Sequence, residues 1–314
     1  MWHHRLWATA LSLSVATALS AAALDEIPKD RGKAIDKAAP EKPRVAPKKP
    51  RRVLIFVTPA HLMDKDPHKG YNIPYTVYAM RTLGEKSKAF EPVVSQDLTM
   101  LLPEKLKEFD AIVLCNTSGE WIAPSEETMA KLKTMGVLEG DEGNAKAVEM
   151  AFRKSLLDWV NAGGGLVGFH FAIGGNPQWP EFKDLLGASY YGHPWNEEVG
   201  VKVEEPTHPL VAAFDGKDFR LTEEIFQFNK PYDRKKLRVL LSLDVAKTNM
   251  GVKWIERKDN DFALAWVKPV GKGRVFYTAF GHRAEIFWNP AMLQFYLDAI
   301  QFAAGDIEGP TAPR

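Results

Sequence analysis

Cysteine is all but missing from this sequence. Cys115 is the only one in 314 residues, so no disulfide can form within the chain and no cluster of thiolates can bind a metal. Any metal would have to be held by histidine, carboxylate or water. A chain this long does not need disulfides, because it can bury a large core. An excess of charge is missing too: 41 Lys and Arg stand against 40 Asp and Glu, for a net charge of +1. That balance gives no electrostatic reason to expect nucleic acid or an acidic partner, and no nucleic-acid motif occurs. Internal repeats are absent, as are the tight H-x-x-x-H and H-x-H spacings of many metal sites. No amphipathic membrane-surface face stands out. What remains is ordinary globular composition, 45% hydrophobic.

The N-terminus is informative. Met1 to Arg5 is a short basic n-region, Leu6 to Ala23 is an uncharged Ala- and Leu-rich run, and Ala21-Ala22-Ala23 offers an A-x-A cleavage site. Residues 1–23 therefore read as a Sec-type signal peptide, with a mature N-terminus near Leu24 and a periplasmic or extracellular destination. An uncleaved anchor is the alternative, since about 18 apolar residues just span a bilayer. After cleavage no stable membrane insertion is expected, and with no cysteine nearby a lipoprotein is excluded. Residues 24–51, rich in Pro, Lys and Ala, read as a disordered leader. One domain is expected over 52–306, followed by a short tail, 307–314.

Within that domain the β-branched run 53–57 predicts a buried strand, and 72–88 a helix with Tyr75, Tyr78, Ala79 and Leu83 on one face. Further strands are expected at 90–94 and 110–115. A polar, partly helical insertion follows at 120–146, then an amphipathic helix at 147–161. After residue 202 the rhythm changes to strands at 238–243, 262–267 and 274–280, the last two joined as a hairpin by the Pro- and Gly-rich segment 268–273. A helix at 289–304 closes the domain. Alternating strands and helices imply an α/β fold, a mainly parallel sheet with helices on both faces and a C-terminal β-hairpin. Ligands of such sheets bind beyond the carboxyl ends of the strands.

The stretch 163–172, GGGLVGFHFA, has the form in which α/β enzymes present a nucleophile. Glycines allow a sharp turn from strand to helix, and the central side chain is held up at the sheet edge. Serine or cysteine is expected there; His170 stands instead. Histidine also follows glycine in Tyr191-Gly192-His193-Pro194 and Gly281-His282, and precedes proline in Thr207-His208-Pro209. Each pattern marks a bend, and loops on a rigid sheet collect binding residues. His68, in the charged stretch His68-Lys69-Gly70, reads as a surface or structural residue. Asn116 falls at the end of the third strand, near the expected ligand site.

Taken together, these motifs carry a family resemblance. Residues 53–304 resemble the ThuA-like family, named for trehalose utilisation. The matching motifs are GGGLVGFH at 163–170, a Gly-Ala-x-Tyr-x-Gly-His-Pro pattern at 187–194, THPL at 207–210, LTEEIFQF at 221–228 and ALAWVKPVGKGRVFYTAFGH at 264–282. The resemblance implies a flavodoxin-like fold of the class I glutamine amidotransferase type, without its nucleophilic cysteine. Family members usually show an acidic pair followed by an aliphatic residue and Tyr. Here the stretch is Glu223-Glu224-Ile225-Phe226, which puts any role of that hydroxyl in doubt. The elbow histidine suits proton transfer or ligation, and Cys115, on a different strand, has no activating base in view, so glutaminase chemistry is not expected.

Three functional readings follow. The first is a carbohydrate-active isomerase, lyase or hydrolase acting on a disaccharide, a glycoside or its 3-keto form, with no organic cofactor. His170, His193, Glu224 and His282 are the candidate catalytic groups. Asn116, Trp179, Tyr190, Trp195, His208 and Glu223 are the candidate substrate contacts, with the aromatics able either to stack on a sugar ring or to pack the core. The second is a hydrolase whose histidines and Glu224 hold a divalent metal such as zinc. The third is a non-catalytic sugar-binding module. The expected partner is a small carbohydrate, and self-association into a homo-oligomer is left open.

Overall fold

The computed structural model describes residues 24–138 and 144–314. The signal peptide expected at 1–23 lies outside the described residues. Among the described residues no helix is long and apolar enough to cross a membrane.

The element order follows the apolar pattern. Strand β1 (Arg52–Phe56), helix α2 (Ile73–Ser87), β2 (Glu91–Ser95), β3 (Ala111–Cys115), α3 (Glu126–Thr134), α4 (Ala145–Ala162) and β4 (Gly165–Phe169) make the first half; helix α1 (Lys29–Ala38) precedes them. The second half contains α5 (Pro180–Leu186), β5 (Ser189–Tyr190), β6 (Trp195–Val203), β7 (Phe219–Ile225), β8 (Phe228–Asn229), β9 (Arg238–Leu243), β10 (Ala263–Val270), β11 (Gly273–Thr278) and α6 (Pro290–Ala303). Local chemistry sets the boundaries. Asn144 caps α4 by accepting from Lys146 and Ala147 amides, and Gly163, at a φ of 131°, ends it. Asn289 caps α6 in the same way, with Pro290 in its first turn.

Nine strands form one sheet in the order β2-β1-β3-β4-β11-β10-β9-β6-β7. From β2 to β11 neighbours run parallel; from β11 to β7 they run antiparallel. The α/β class, the parallel strands and the C-terminal hairpin are as the sequence implied. Both faces of β4 are covered. A Cβ on Gly165 would strike the backbone of Ala303 in α6, whereas one on Gly168 would crowd Leu186 of α5 and Tyr277. Residues three apart on a strand point to opposite faces, so glycine here allows a helix to sit close on each side.

The leader departs from expectation. Residues 24–51 are ordered: α1 buries Ile35 and lies against α2. Its polar groups find partners on the body, with Arg81 Nε donating to Asp25 at 2.6 Å, Gln301 Nε2 to the Val45 carbonyl at 2.6 Å and Arg44 Nε to Asp298 at 2.9 Å. Composition suggested disorder because this segment docks through hydrogen bonds and ion pairs, which leave no apolar period to read. The tail is tied down too, since Pro310 and Ala312 carbonyls accept from His208 and Arg238. Asp298 is fully buried, and burial pushes its carboxyl up to about 6 against the opposing pull of Arg44 and Gln294. Arg44→Ala removes a charged hydrogen-bond partner from that carboxylate and should cost on the order of 1.5–3 kcal/mol. Urea denaturation measures it; unchanged stability would mean the leader does not dock.

Candidate active site

His170 follows β4 directly and begins a single 3-10 turn, at a φ of 44°. A left-handed backbone is costly for a residue with a Cβ and is found where the surroundings impose it. Here they do. The Tyr277 hydroxyl donates to the His170 carbonyl at 2.8 Å, the ring lies 4.2 Å from the Phe226 ring, and Nδ1 sits 2.6 Å from the Ala279 carbonyl oxygen. A carbonyl can only accept, so Nδ1 carries the proton and the neutral ring presents its lone pair at Nε2. The side chain is fully buried.

Three other chain segments meet it. Glu224, near the end of β7, places Oε2 3.2 Å from His170 Nε2 and 3.4 Å from His282 Nδ1, and Oε1 3.8 Å from His193 Nε2. In the sheet β7 is the far edge strand, four strands beyond β11, so the antiparallel half curls back to bring it over the strand ends. Desolvation lowers His170 and takes His282 down to about 4. Burial works against the charge on Glu224, but the surrounding histidines outweigh it and hold the carboxyl below its ordinary range. At neutral pH the Glu224 carboxylate stands beside the neutral imidazoles of His170 and His282. His193 is the solvent-facing member: its side chain is 38% exposed and its Nδ1 hydrogen-bonds the Tyr190 hydroxyl.

The fourth imidazole is His68, whose sequence context suggested a surface or structural role. It is 6% exposed and lies edge-on to His170, with ring centroids 5.8 Å apart, and 6.4 Å from His282. One nitrogen each of His68, His170 and His282 comes within 4.8 Å of the others, an arrangement that could hold a metal ion. Asp66 orients His68, its Oδ1 standing 3.2 Å from Nδ1 and accepting from the His68 amide at 2.9 Å. Burial opposes ionisation of Asp66, yet hydrogen bonds from His68, Ser118 and Thr58 outweigh it and keep its carboxyl low. The readable signal was the spacing Asp66-x-His68, a carboxylate two residues before an imidazole.

Several expected substrate contacts prove to be supports. Glu223 is fully buried and accepts from the amides of Glu224 at 2.8 Å, Gly281 at 3.1 Å and Arg283 at 2.9 Å, so it fixes the loop that carries His282. Burial pushes its carboxyl up to about 8 against the pull of those three amides. Asn116 is buried as well. Its Oδ1 accepts from the Phe171 amide at 3.1 Å, and its Nδ2 donates to Thr76 Oγ1 at 3.2 Å and the Gly281 carbonyl at 3.4 Å. Gly281 has a φ of 140°, and an added Cβ would lie 3.2 Å from that of His170, so glycine is required by conformation and by space.

Trp179, Trp195 and His208 lie outside the pocket. Trp179 is 1% exposed, stacked on Phe182 with Arg153 over its ring. Trp195 is fully buried against Phe262 and donates Nε1–H to the Asn249 carbonyl. His208 caps a turn, accepting at Nδ1 from the Leu210 amide, with Nε2 on the Pro310 carbonyl. Their large apolar surfaces or cap geometry are used by the core and the tail. The rim aromatics come instead from polar loops: Tyr71, 48% exposed, 5.0 Å from the His282 ring, and Trp254, 61% exposed, 5.5 Å from His193. A tryptophan in the charged stretch 253–261, where no core periodicity exists, was the available signal. Cys115 is fully buried and burial pushes its thiol far above the usual range, which disfavours the thiolate. A cleft of about 870 Å³ at the other end of β1 and β2 is lined by Arg51, Arg52, Glu91 and Asp110. Those charges pair with one another or with neighbours, whereas the histidine cluster gathers around Glu224 at the sheet's strand ends and is the candidate site.

A family model described as ThuA, trehalose utilisation, matches residues 52–303. Among solved structures the chain is similar to a putative ThuA-like protein from Bacteroides uniformis, with 24% identity and a TM-score of 0.58 over 82% of this chain and 92% of that one. It is also similar to a putative ThuA-like protein from Parabacteroides merdae, with 16% identity and a TM-score of 0.54 over 85% and 98%. No curated protein matches it. At these identities the structural likeness speaks for the fold.

Proposed function

The chain belongs to the ThuA family, described by trehalose utilisation, and from that premise of a carbohydrate-related role we propose an enzyme performing acid–base chemistry on a glycoside or an oxidised sugar. The observation that carries the reading is the Glu224 carboxylate, held within 3.2–3.8 Å of three imidazoles from separate segments of the chain. A ketone acidifies its neighbouring C–H, and a positioned carboxylate can take that proton while donors steady the developing enolate. Glu224 is the base. His193, half-exposed and backed by Tyr190, passes the proton to and from solvent. His170 and His282 line the inner wall.

Tyr71 and Trp254 at the rim are of the type that stacks on sugar rings. Trp254→Ala should raise KM by roughly 3–10-fold with kcat unchanged, as loss of about 0.5–1.5 kcal/mol of uniform binding does. A fall in kcat at constant KM would place Trp254 in the chemistry instead. The signal-like segment 1–23 supports an exported enzyme that meets its sugar outside the cytoplasm.

The reading is tested by incubating the protein with native and 3-keto disaccharides and separating the products. Conversion of at least one sugar is expected. Binding without conversion across the panel would favour the sugar-binding module.

A further inference from the structure

We propose that His68, His170 and His282 hold one divalent transition-metal ion, with Glu224 standing beside the open coordination position. The inference deepens the acid–base reading above and rests on it for the use to which the ion is put; binding itself does not depend on that reading.

The three rings arrive from separate places: the loop after β1, the end of β4 and the loop after β11. Two have their outward nitrogen fixed by a hydrogen-bond acceptor. Asp66 takes His68 Nδ1, and the Ala279 carbonyl takes His170 Nδ1. A carboxylate or carbonyl behind the ring is how ligating imidazoles are oriented, because it fixes the tautomer and leaves the other nitrogen's lone pair for the ion. The inner nitrogens then lack what a buried acceptor needs. His170 Nε2 and His282 Nδ1 are both buried without a hydrogen-bond partner; Glu224 is near each but not aligned as an acceptor of either. An unpartnered buried polar atom costs roughly 1–3 kcal/mol. Two of them, converging with His68 on one point, have a common solution in a cation.

The ligand set selects the class of ion. Three imidazoles suit zinc and its first-row neighbours, whereas magnesium and calcium prefer all-oxygen sites. On a tetrahedral zinc with bonds of about 2.0–2.1 Å, ligand nitrogens sit roughly 3.4 Å apart. The ligand nitrogens here, one from each ring and within 4.8 Å of one another, would close on the ion by a shift of about an ångström. Bound there, the ion would acidify a water or sugar hydroxyl, and the Glu224 carboxylate beside His170 and His282 would be placed to take that proton and become the neutral acid. His193, 3.8 Å from Glu224, would return the proton to solvent. This differs from the ligand set the sequence suggested: His68 replaces His193, and Glu224 serves as base.

The test uses tag-free protein stripped with a chelator, then titrated with Zn²⁺ in competition with a chromophoric chelator and with Co²⁺ by visible absorption. One equivalent of Zn²⁺ and the intense bands of a tetrahedral Co²⁺ centre are expected. His68→Ala and His282→Ala should each weaken Zn²⁺ binding by at least about 100-fold. Asp66→Asn, the milder change if an alanine variant does not fold, should weaken it about 10–100-fold. His208→Ala, away from the pocket, should leave it unchanged. Absence of stoichiometric binding by the folded protein, or full affinity in the His68 and His282 variants, would overturn the metal site. A loaded protein that converts no sugar leaves the metal site standing and counts against the acid–base reading alone.

Discussion

Glu224→Gln should lower kcat by on the order of 10²–10⁴, the usual worth of a positioned acid–base group. The amide keeps the size of the carboxylate, so the fold and the packing against His170 and His282 are retained while the proton acceptor is lost. KM should change little, because the group is needed in the transition state more than in the ground state. His193→Ala should cost less, since it acts at 3.8 Å through the second carboxylate oxygen and buffer can replace a half-exposed relay. The double variant should be no slower than Glu224→Gln, as members of one proton path are not additive. Steady-state kinetics on whichever sugar is converted measures all three. A kcat within a few-fold of the parent for Glu224→Gln would remove Glu224 from the chemistry.

Glu223→Ala should be the most destabilising change in the site. It strips the acceptor from three backbone amides at once, those of Glu224, Gly281 and Arg283, in a place with no solvent access. Each buried donor left without a partner costs about 1–3 kcal/mol, so a total on the order of 3–5 kcal/mol is expected, among the large losses seen when a buried hydrogen-bond network is broken. Activity should fall with stability, because the same three bonds hold the loop bearing His282. Urea denaturation gives the number. A loss under about 1 kcal/mol would mean that water reaches these amides and that Glu223 is not the clasp described here.

Much of the parallel half was legible because buried strands announce themselves. Val53 to Phe56 and Ala111 to Cys115 are continuous apolar runs, and both became inner strands with no exposed side chain. The His170 elbow was legible for a different reason: glycine before it and a small residue after it suit a sharp turn, and the left-handed backbone of His170 bears that out. The curl of the antiparallel half was not legible. Nothing local in Phe219–Ile225 says that an edge strand returns over the end of β4, so Glu224 was assigned to catalysis but Glu223 to substrate contact, whereas it clasps backbone amides. One of them faces the imidazoles and the other faces amides, as adjacent residues on a strand must point opposite ways. His68 was missed because a charged neighbourhood describes the chain around it, not the imidazoles its ring packs against. Trp179 and Trp195 were misplaced by the converse error, since a large aromatic fits a core and a sugar site equally well until burial is known.

The most direct measurement is proton exchange at a 3-keto disaccharide in deuterium oxide, followed by proton NMR. With the wild-type protein, the signal of the C–H beside the ketone should disappear by exchange or conversion, and Glu224→Gln should slow that loss by about 10²-fold or more. If the sugar binds and the signal persists at the uncatalysed rate, or if Glu224→Gln exchanges as fast as the parent, the pocket around Glu224 does not perform the chemistry assigned to it.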